Sequence, residues 1–381
     1  MELAKREDIQ LYVQEMPYFR KDWENAKKLV YGKDRNKVIQ NITKWDGQDI
    51  DVVYSITFPY NIVPFVHKDN VIPKCVFYTS EFASLDRTYF TCDFEKAFVD
   101  MEAIKGTVNH DRNRLFFTAP SKWSARGMKL ANVPEEKNAV IPHGVDGGIF
   151  KKCSLETRAK IRAFYKVKES DILLVNIGAM TGNKGIALII SALHQIVNIV
   201  GKKQYKILFK GTGDLYTSKG FLEQTLNSLT NIKKEHMDNL LTNHIIFTDK
   251  TLSYDRINEL FSAADLYVSP YLAEGFNLVV LEALTAGLPI LVPTTGSTKE
   301  FIGDIYKNGG QNFIHYVESN VFQKQDSRQN IISIEELVRS LLWFKKEGVA
   351  GYDKMREYIL QEYSWENVVR KLVEYLKKCS F

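Results

Sequence analysis

The chain has little cysteine: four residues in 381, at positions 75, 92, 153 and 379. None sits at metal-ligand spacing and they form no framework of pairs. A structural zinc site and a disulfide scaffold are both excluded as expectations, and reduced thiols in a cytoplasmic compartment are the reading. Cys379 is third from the end, so a prenylation box, which needs the fourth position, is excluded too. The opening stretch, Met1 to Asp8, has no apolar core and does not read as a signal peptide. No apolar run is long enough to span a bilayer; the longest, Ile186 to Val200, is broken by Ser191, His194, Gln195 and Asn198. Charge is not concentrated either. The net charge of +5 is spread along the chain, apart from pairs such as Lys233-Lys234 and Lys377-Lys378, which read as solvated helix faces. That excludes a nucleic-acid partner as the expectation and suits an anionic small ligand. The seven histidines, His110, His143 and His194 among them, lack metal spacing, so no metal site is expected. Asn41-Ile42-Thr43 matches a glycosylation acceptor that would matter only in a secreted protein. Internal repeats and low-complexity segments are missing.

What is present is an ordinary globular composition, 45% hydrophobic and 25% charged, at a length that favours two domains. The second half alternates strands and helices. Runs at 171–178, 205–211, 244–248, 265–270 and 289–293 are continuous in apolar residues, with helical patterns at 185–200, 254–264 and 277–286 between them. Continuous apolar strands alternating with helices predict a parallel sheet covered on both faces. The first half repeats the pattern less cleanly: strands at 49–54, 74–79, 114–118 and 138–142, and a helix at 121–130 capped by Ser121. The pattern turns polar between His143-Gly-Val-Asp146 and a charged helix around 154–165, which marks the expected boundary. A last helix begins at Ser364-Trp365, with an apolar stripe that must pack on something.

Two segments carry chemistry. Glu274-Gly-Phe-Asn-Leu-Val-Val-Leu-Glu282 follows a strand, with one carboxylate at the strand's carboxyl end and a second inside the next helix. Ligands of open α/β sheets bind at that edge. A Glu among Leu and Val needs a partner, since an unpaired buried charge is very costly, and a polyhydroxylated ligand could supply one. The bland alternatives are a helix-capping Glu274 and a salt-bridged Glu282. Gly178-Ala-Met-Thr-Gly-Asn-Lys184-Gly185 also joins a strand to a helix. Backbone N–H groups and a lysine there suit a phosphate, while the alternative is a turn that needs glycine. It is not a P-loop, because Gly185 stands where Ser or Thr is required. Gly211-Thr-Gly213-Asp214 lacks the third glycine of a dinucleotide fingerprint and reads as a plain turn.

Taken together and in order, these motifs resemble the GT-B glycosyltransferases, specifically the retaining, nucleotide-sugar-dependent glycosyltransferase family four (glycosyl transferases group one). Ile141-Pro-His-Gly-Val-Asp146 with Phe150 is similar to the family's interdomain segment, and Gly178 to Gly185 to its diphosphate loop. Ser269-Pro270, Glu274-Gly-Phe, Glu282-Ala-Leu and Gly287-Leu-Pro289 are similar to its donor-site signature. Tyr363-Ser364-Trp365-Glu366 is similar to the start of its terminal helix. The resemblance implies two Rossmann-like, doubly wound parallel-sheet domains facing a cleft. A shortened acceptor-side domain would span 1–148 and a donor-binding domain 149–362. A helix at 363–381 would cross back to the first.

The resemblance also implies roles. Glu274 would contact hydroxyls of the donor sugar and Glu282 the nucleotide ribose. Gly178, Gly185 and the backbone amides of Gly275, Phe276, Asn277 and Leu278 would line the donor. Lys184 would neutralise the diphosphate leaving group in place of a metal, so Glu274 and Lys184 are the expected catalytic pair and no cofactor is implied. Glu81 and Ser121 are the acceptor-side candidates, each with a capping role as the alternative. The chain departs from the family's pattern at Ala179, where Arg is usual, and at Asn277, where Gly is usual. It also opens without the family's first strand and glycine-rich loop. The expected reaction moves a hexose from a nucleotide diphosphate sugar to a glycan, lipid or protein acceptor, with a peripheral membrane contact left open. A non-catalytic nucleotide-sugar or glycan-binding module is the alternative, and an epimerase of the same fold a third reading.

Overall fold

The structure is a computed structural model, and it describes residues 2–13, 43–56, 72–84, 114–130, 132–213, 217–345 and 350–380. Cys92, His110, Asp214 and the Asn41-Ile42 part of the glycosylation triplet lie outside the described residues. The contacts divide the chain into two units. One comprises Met1–Gly144, Lys324–Arg328 and Tyr363–Phe381; the other comprises Val145–Gln323 and Gln329–Glu362.

In the first unit, β1 (Tyr12–Val13) pairs in parallel with β2 (Thr43–Lys44). The strands β3 (Val53–Ile56), β4 (Lys74–Phe77), β5 (Leu115–Ala119) and β6 (Asn138–Val140) form a second, wholly parallel sheet in sequence order. Cys75, Val76, Leu115 and Phe117 are buried in it. A helix, Lys122–Leu130, follows β5; the Ser121 hydroxyl accepts from the Ser124 amide at 3.0 Å, which satisfies one of the orphan donors of the first turn. The terminal helix, Trp365–Ser380, belongs to this unit. Its stripe of Val368, Val369, Leu372, Val373 and Leu376 is buried, with Leu372 and Leu376 against Cys75 of β4. Arg114, just before β5, donates to the last carbonyls of that helix at Cys379 (3.3 Å) and Ser380 (3.1 Å).

The second unit is built on a six-stranded parallel sheet of β7 (Ile172–Ile177), β8 (Tyr205–Lys210), β9 (Ile245–Thr248), β10 (Leu266–Val268), β11 (Ile290–Pro293) and β12 (Ile314–Val317). Their spatial order is β12-β11-β10-β7-β8-β9. Numbered within the unit, this is the 3-2-1-4-5-6 order of a doubly wound dinucleotide-binding sheet. The strands are largely apolar because both faces are covered: Leu174, Ile207, Phe209, Leu266, Val268 and Leu291 belong to one buried cluster, and the residues that alternate with them, Leu173, Leu208, Tyr267 and Ile290 among them, are buried as well. The helix Ile186–His194 packs on it, and its last residues, Gln195–Ile199, widen into a π-helical turn. At the start of β10, the buried Asp265 accepts from Arg158 (2.6 Å), Arg162 (3.2 Å) and the amide of Leu173 (2.8 Å). This anchors the helix Leu155–Phe164, whose cap is Ser154, to the sheet. A hairpin of β13 (Asn320–Lys324) and β14 (Ser327–Ile331) follows β12. Among the described residues no helix is long and apolar enough to cross a membrane.

Candidate active site

The site is defined by which strands are neighbours. β7 and β10 are adjacent although about ninety residues separate them in sequence. The chain leaves β7 toward β8 on one side and leaves β10 toward β11 on the other, so the two departing loops meet at the point where the strand order reverses. Both chemistry-bearing segments lie there: the loop 178–185 after β7, and 269–277 after β10.

The two loops are docked on each other. Gly185 has a φ of +73°, and a Cβ at this position would collide with the carbonyl of Pro270, so only glycine lets the backbones approach. The Asn183 carbonyl accepts from the Leu272 amide at 2.7 Å, and the Asn183 side chain donates to the Ala273 carbonyl at 2.9 Å. Thr181 orients that side chain, donating to its Oδ1 at 2.6 Å. This scaffold brings Lys184 Nζ to 2.6 Å from Glu274 Oε1. The side chains keep 18% and 13% of their surface exposed, so the pair is largely desolvated yet reachable from solvent. The expected catalytic lysine and glutamate therefore meet as one ion pair, a contact invisible in either motif alone.

Gly275, Phe276, Asn277 and Leu278 lead into the helix Leu278–Thr285. Asn277 adopts the left-handed conformation, φ 68° and ψ 62°, which explains the departure at this position: after glycine, asparagine tolerates that conformation best. Its amide also donates to Ser269 Oγ at 2.9 Å, tying the helix entrance to the end of β10. Phe276 is buried and stacked on Phe301, ring centroids 4.6 Å apart.

Glu282 faces the interior one turn into that helix, 8% exposed. Its carboxyl has no hydrogen-bond partner among the described residues. Burial pushes its pKa from 4.5 up to about 8, because removing the ionised form from water without compensation favours the neutral acid. Tyr267, fully buried on β10, is pushed well above the usual phenol range by burial, with Glu274 and Glu282 both adding negative potential. Burial thus favours the neutral form of the Glu282 carboxyl, which can donate as well as accept a hydrogen bond.

The loop bearing Ala179 is held by Ser218, whose hydroxyl donates to the Ala179 carbonyl at 3.0 Å. Gly178 extends β7, its amide donating to Lys210 at 3.0 Å. Of the two residues expected on the acceptor side, both in the first unit, Ser121 is buried and caps its helix, and Glu81 sits in a turn with its carbonyl accepting from Trp123 at 2.7 Å. Among the described residues no group of three His, Cys, Asp or Glu side chains could hold a metal ion. The thiols of Cys75, Cys153 and Cys379 are free.

Residues 157–316 match the family described as glycosyl transferases group 1. An uncharacterized glycosyltransferase of Methanocaldococcus jannaschii is 24% identical over 249 residues, covering 65% of this chain and 56% of that protein. The lipopolysaccharide 1,2-N-acetylglucosaminetransferase of Salmonella typhimurium is 25% identical over 251 residues, covering 64% and 58%. The chain thus matches somewhat over half the length of these relatives. Among solved structures, Anabaena HepE in complex with UDP and glucose superposes with a TM-score of 0.61 at 15% identity, over 96% of this chain and 98% of that one. A glycosyltransferase of Rickettsia africae superposes with a TM-score of 0.63 at 15% identity, over 92% and 88%. At such identities the likeness concerns the fold. Residues 157–316, within the second unit, thus match the glycosyl transferases group 1 family, and the fold is similar to that of the GT-B glycosyltransferases.

Proposed function

We propose that this protein is a retaining glycosyltransferase of family four that works in the cytoplasm. It moves a hexose from a nucleoside diphosphate sugar to a glycan, lipid or protein acceptor. The observation that carries the reading is the Lys184–Glu274 pair where the loops after β7 and β10 meet. When a donor enters, the ammonium group exchanges Glu274 for the diphosphate, and Glu274, released from its cation, accepts hydrogen bonds from sugar hydroxyls. Lys184 then offsets the charge that grows on the departing diphosphate, the electrostatic role a metal fills in other transferases. Backbone N–H groups at the start of the helix Leu278–Thr285 add positive potential at the same spot. Glu282 meets the ribose. Retention follows from attack on the face that the leaving group vacates, with no enzyme nucleophile. Because HepE is described in complex with UDP-glucose, that sugar is the first donor to test.

Ala179 favours a second reading. One cation of the family's diphosphate loop is absent, and a module that holds nucleotide sugar without turning it over would tolerate that loss. The phosphate role is tested by calorimetry with UDP and uridine. Lys184→Ala should lower UDP affinity by about tenfold or more, the size of a charge-assisted hydrogen bond, while uridine binding changes less than about twofold. Equal losses for both ligands would remove Lys184 from the phosphate site.

A further inference from the structure

The hairpin β13–β14 reaches the segment that carries Glu274. Asn330, on β14, is 1% exposed, in contrast to the open surface of most of the hairpin. Its side-chain amide donates to the Tyr271 carbonyl at 3.1 Å, and its Oδ1 accepts from Thr295 Oγ1 at 2.9 Å. Its backbone amide donates to the Leu272 carbonyl at 2.7 Å. On the opposite side of the same short segment, Asn183 binds the Leu272 amide and the Ala273 carbonyl. Residues 271–273 are thus gripped between Asn183, next to Lys184, and Asn330, from the hairpin. The packing leaves no slack: Gly296 has a φ of +91°, and a Cβ there would stand 2.7 Å from the Tyr271 hydroxyl and 2.8 Å from the Asn330 amide nitrogen. Tyr271 is itself fixed, its hydroxyl 2.7 Å from Thr298 Oγ1 and accepting from the Thr298 amide at 3.1 Å.

We infer that Asn330 is a positioning residue for Glu274. It does not touch the donor; it fixes the backbone of 271–273 so that Glu274 is presented to the sugar and to Lys184 in one geometry. A buried side chain that satisfies a loop carbonyl is costly to lose, because the carbonyl is then left without its partner. Loop residues carry function only when a rigid scaffold sets their position. The functional half of this inference rests on the reading of Glu274 as a sugar contact; the structural half does not.

Two measurements separate them. Hydrogen exchange on the ligand-free protein compares wild type with Asn330→Ala and with Thr295→Val, which removes one bond to Asn330. Exchange in a peptide covering 270–275 should accelerate about tenfold or more in Asn330→Ala and less in Thr295→Val, the cost of one or two hydrogen bonds, with β7 and β11 unchanged. Unchanged exchange at 270–275, or acceleration spread evenly over the second unit, overturns the inference whatever the ligand does. The second measurement is the ratio of UDP-glucose to UDP affinity. Asn330→Ala should lower it about as far as Glu274→Ala, and the double variant should add little, the non-additivity of two residues acting through one contact. Additive losses overturn the coupling to Glu274. A wild type that binds UDP-glucose no more tightly than UDP refutes the sugar role of Glu274 instead, and leaves the exchange result to decide the brace.

Discussion

Replacing Glu282 by Gln should make the protein more stable at alkaline pH and leave it nearly unchanged at pH 5. Glu282 is 8% exposed, and burial raises its pKa from 4.5 to about 8. In the unfolded chain the same group titrates near its ordinary value. Between those two values the folded state holds a proton that the unfolded state has lost. Stability is therefore fully retained below about pH 4.5 and falls as pH rises toward 8, by up to about 1.4 kcal/mol per unit. The full window amounts to about 5 kcal/mol at most, and water entering around the carboxylate should reduce it to about 2–3 kcal/mol. Gln has the same shape and no charge, so it abolishes this dependence while the other titrating groups cancel between the two proteins. Urea unfolding of both proteins at intervals from pH 5 to pH 9 measures it. The stability difference should grow with pH in favour of Glu282→Gln and level off above about pH 8. A difference that does not change with pH would refute the argument that Glu282 is protonated by burial.

Two further perturbations test the backbone geometry of the site. Gly185→Ala combines a left-handed backbone with a collision at the Pro270 carbonyl, and should cost about 2–4 kcal/mol in chemical denaturation; a cost below about 1 kcal/mol would mean the two loops are not docked as described. Asn277→Gly loses only the bond to Ser269 and should cost about 1 kcal/mol, whereas Asn277→Ala also places a side chain in the left-handed region and should cost about 2 kcal/mol; the reverse order would contradict the conformation of Asn277.

The second unit was legible in the sequence to an unusual degree, for a physical reason. Strands such as Leu266–Val268 and Ile290–Pro293 are covered on both faces and so are apolar throughout, and the helices between them carry the apolar residues that cover them. What escaped has little burial to advertise it. The helix Lys234–Asn243 buries only Leu240, and β13 is exposed along its whole length. The helix Ile334–Trp343 could have been found, since Ser333 and Glu336 stand at capping-box spacing before an apolar stripe and the Ser333 hydroxyl accepts from the Glu336 amide at 3.1 Å. The contact between Lys184 and Glu274 depends on β7 lying beside β10, and spatial strand order is not written in local pattern. Asn277 stands where the family usually has glycine. Its left-handed backbone shows it filling a conformational requirement that glycine would also meet. Asn330 carried no signal at all, because a single polar residue in an exposed hairpin looks like any other until its bonds to 271–272 are seen.

The central claim is that Glu274, poised against Lys184, acts on the sugar of a nucleoside diphosphate donor. The most direct measurement is release of UDP from UDP-glucose by the purified protein, with wild type and Glu274→Ala compared at saturating donor. The account predicts slow, steady release by wild type, a drop of about a hundredfold or more in the variant, and UDP affinity within about threefold between them. Saturable binding of UDP-glucose with no turnover, or equal turnover by the two proteins, would contradict it.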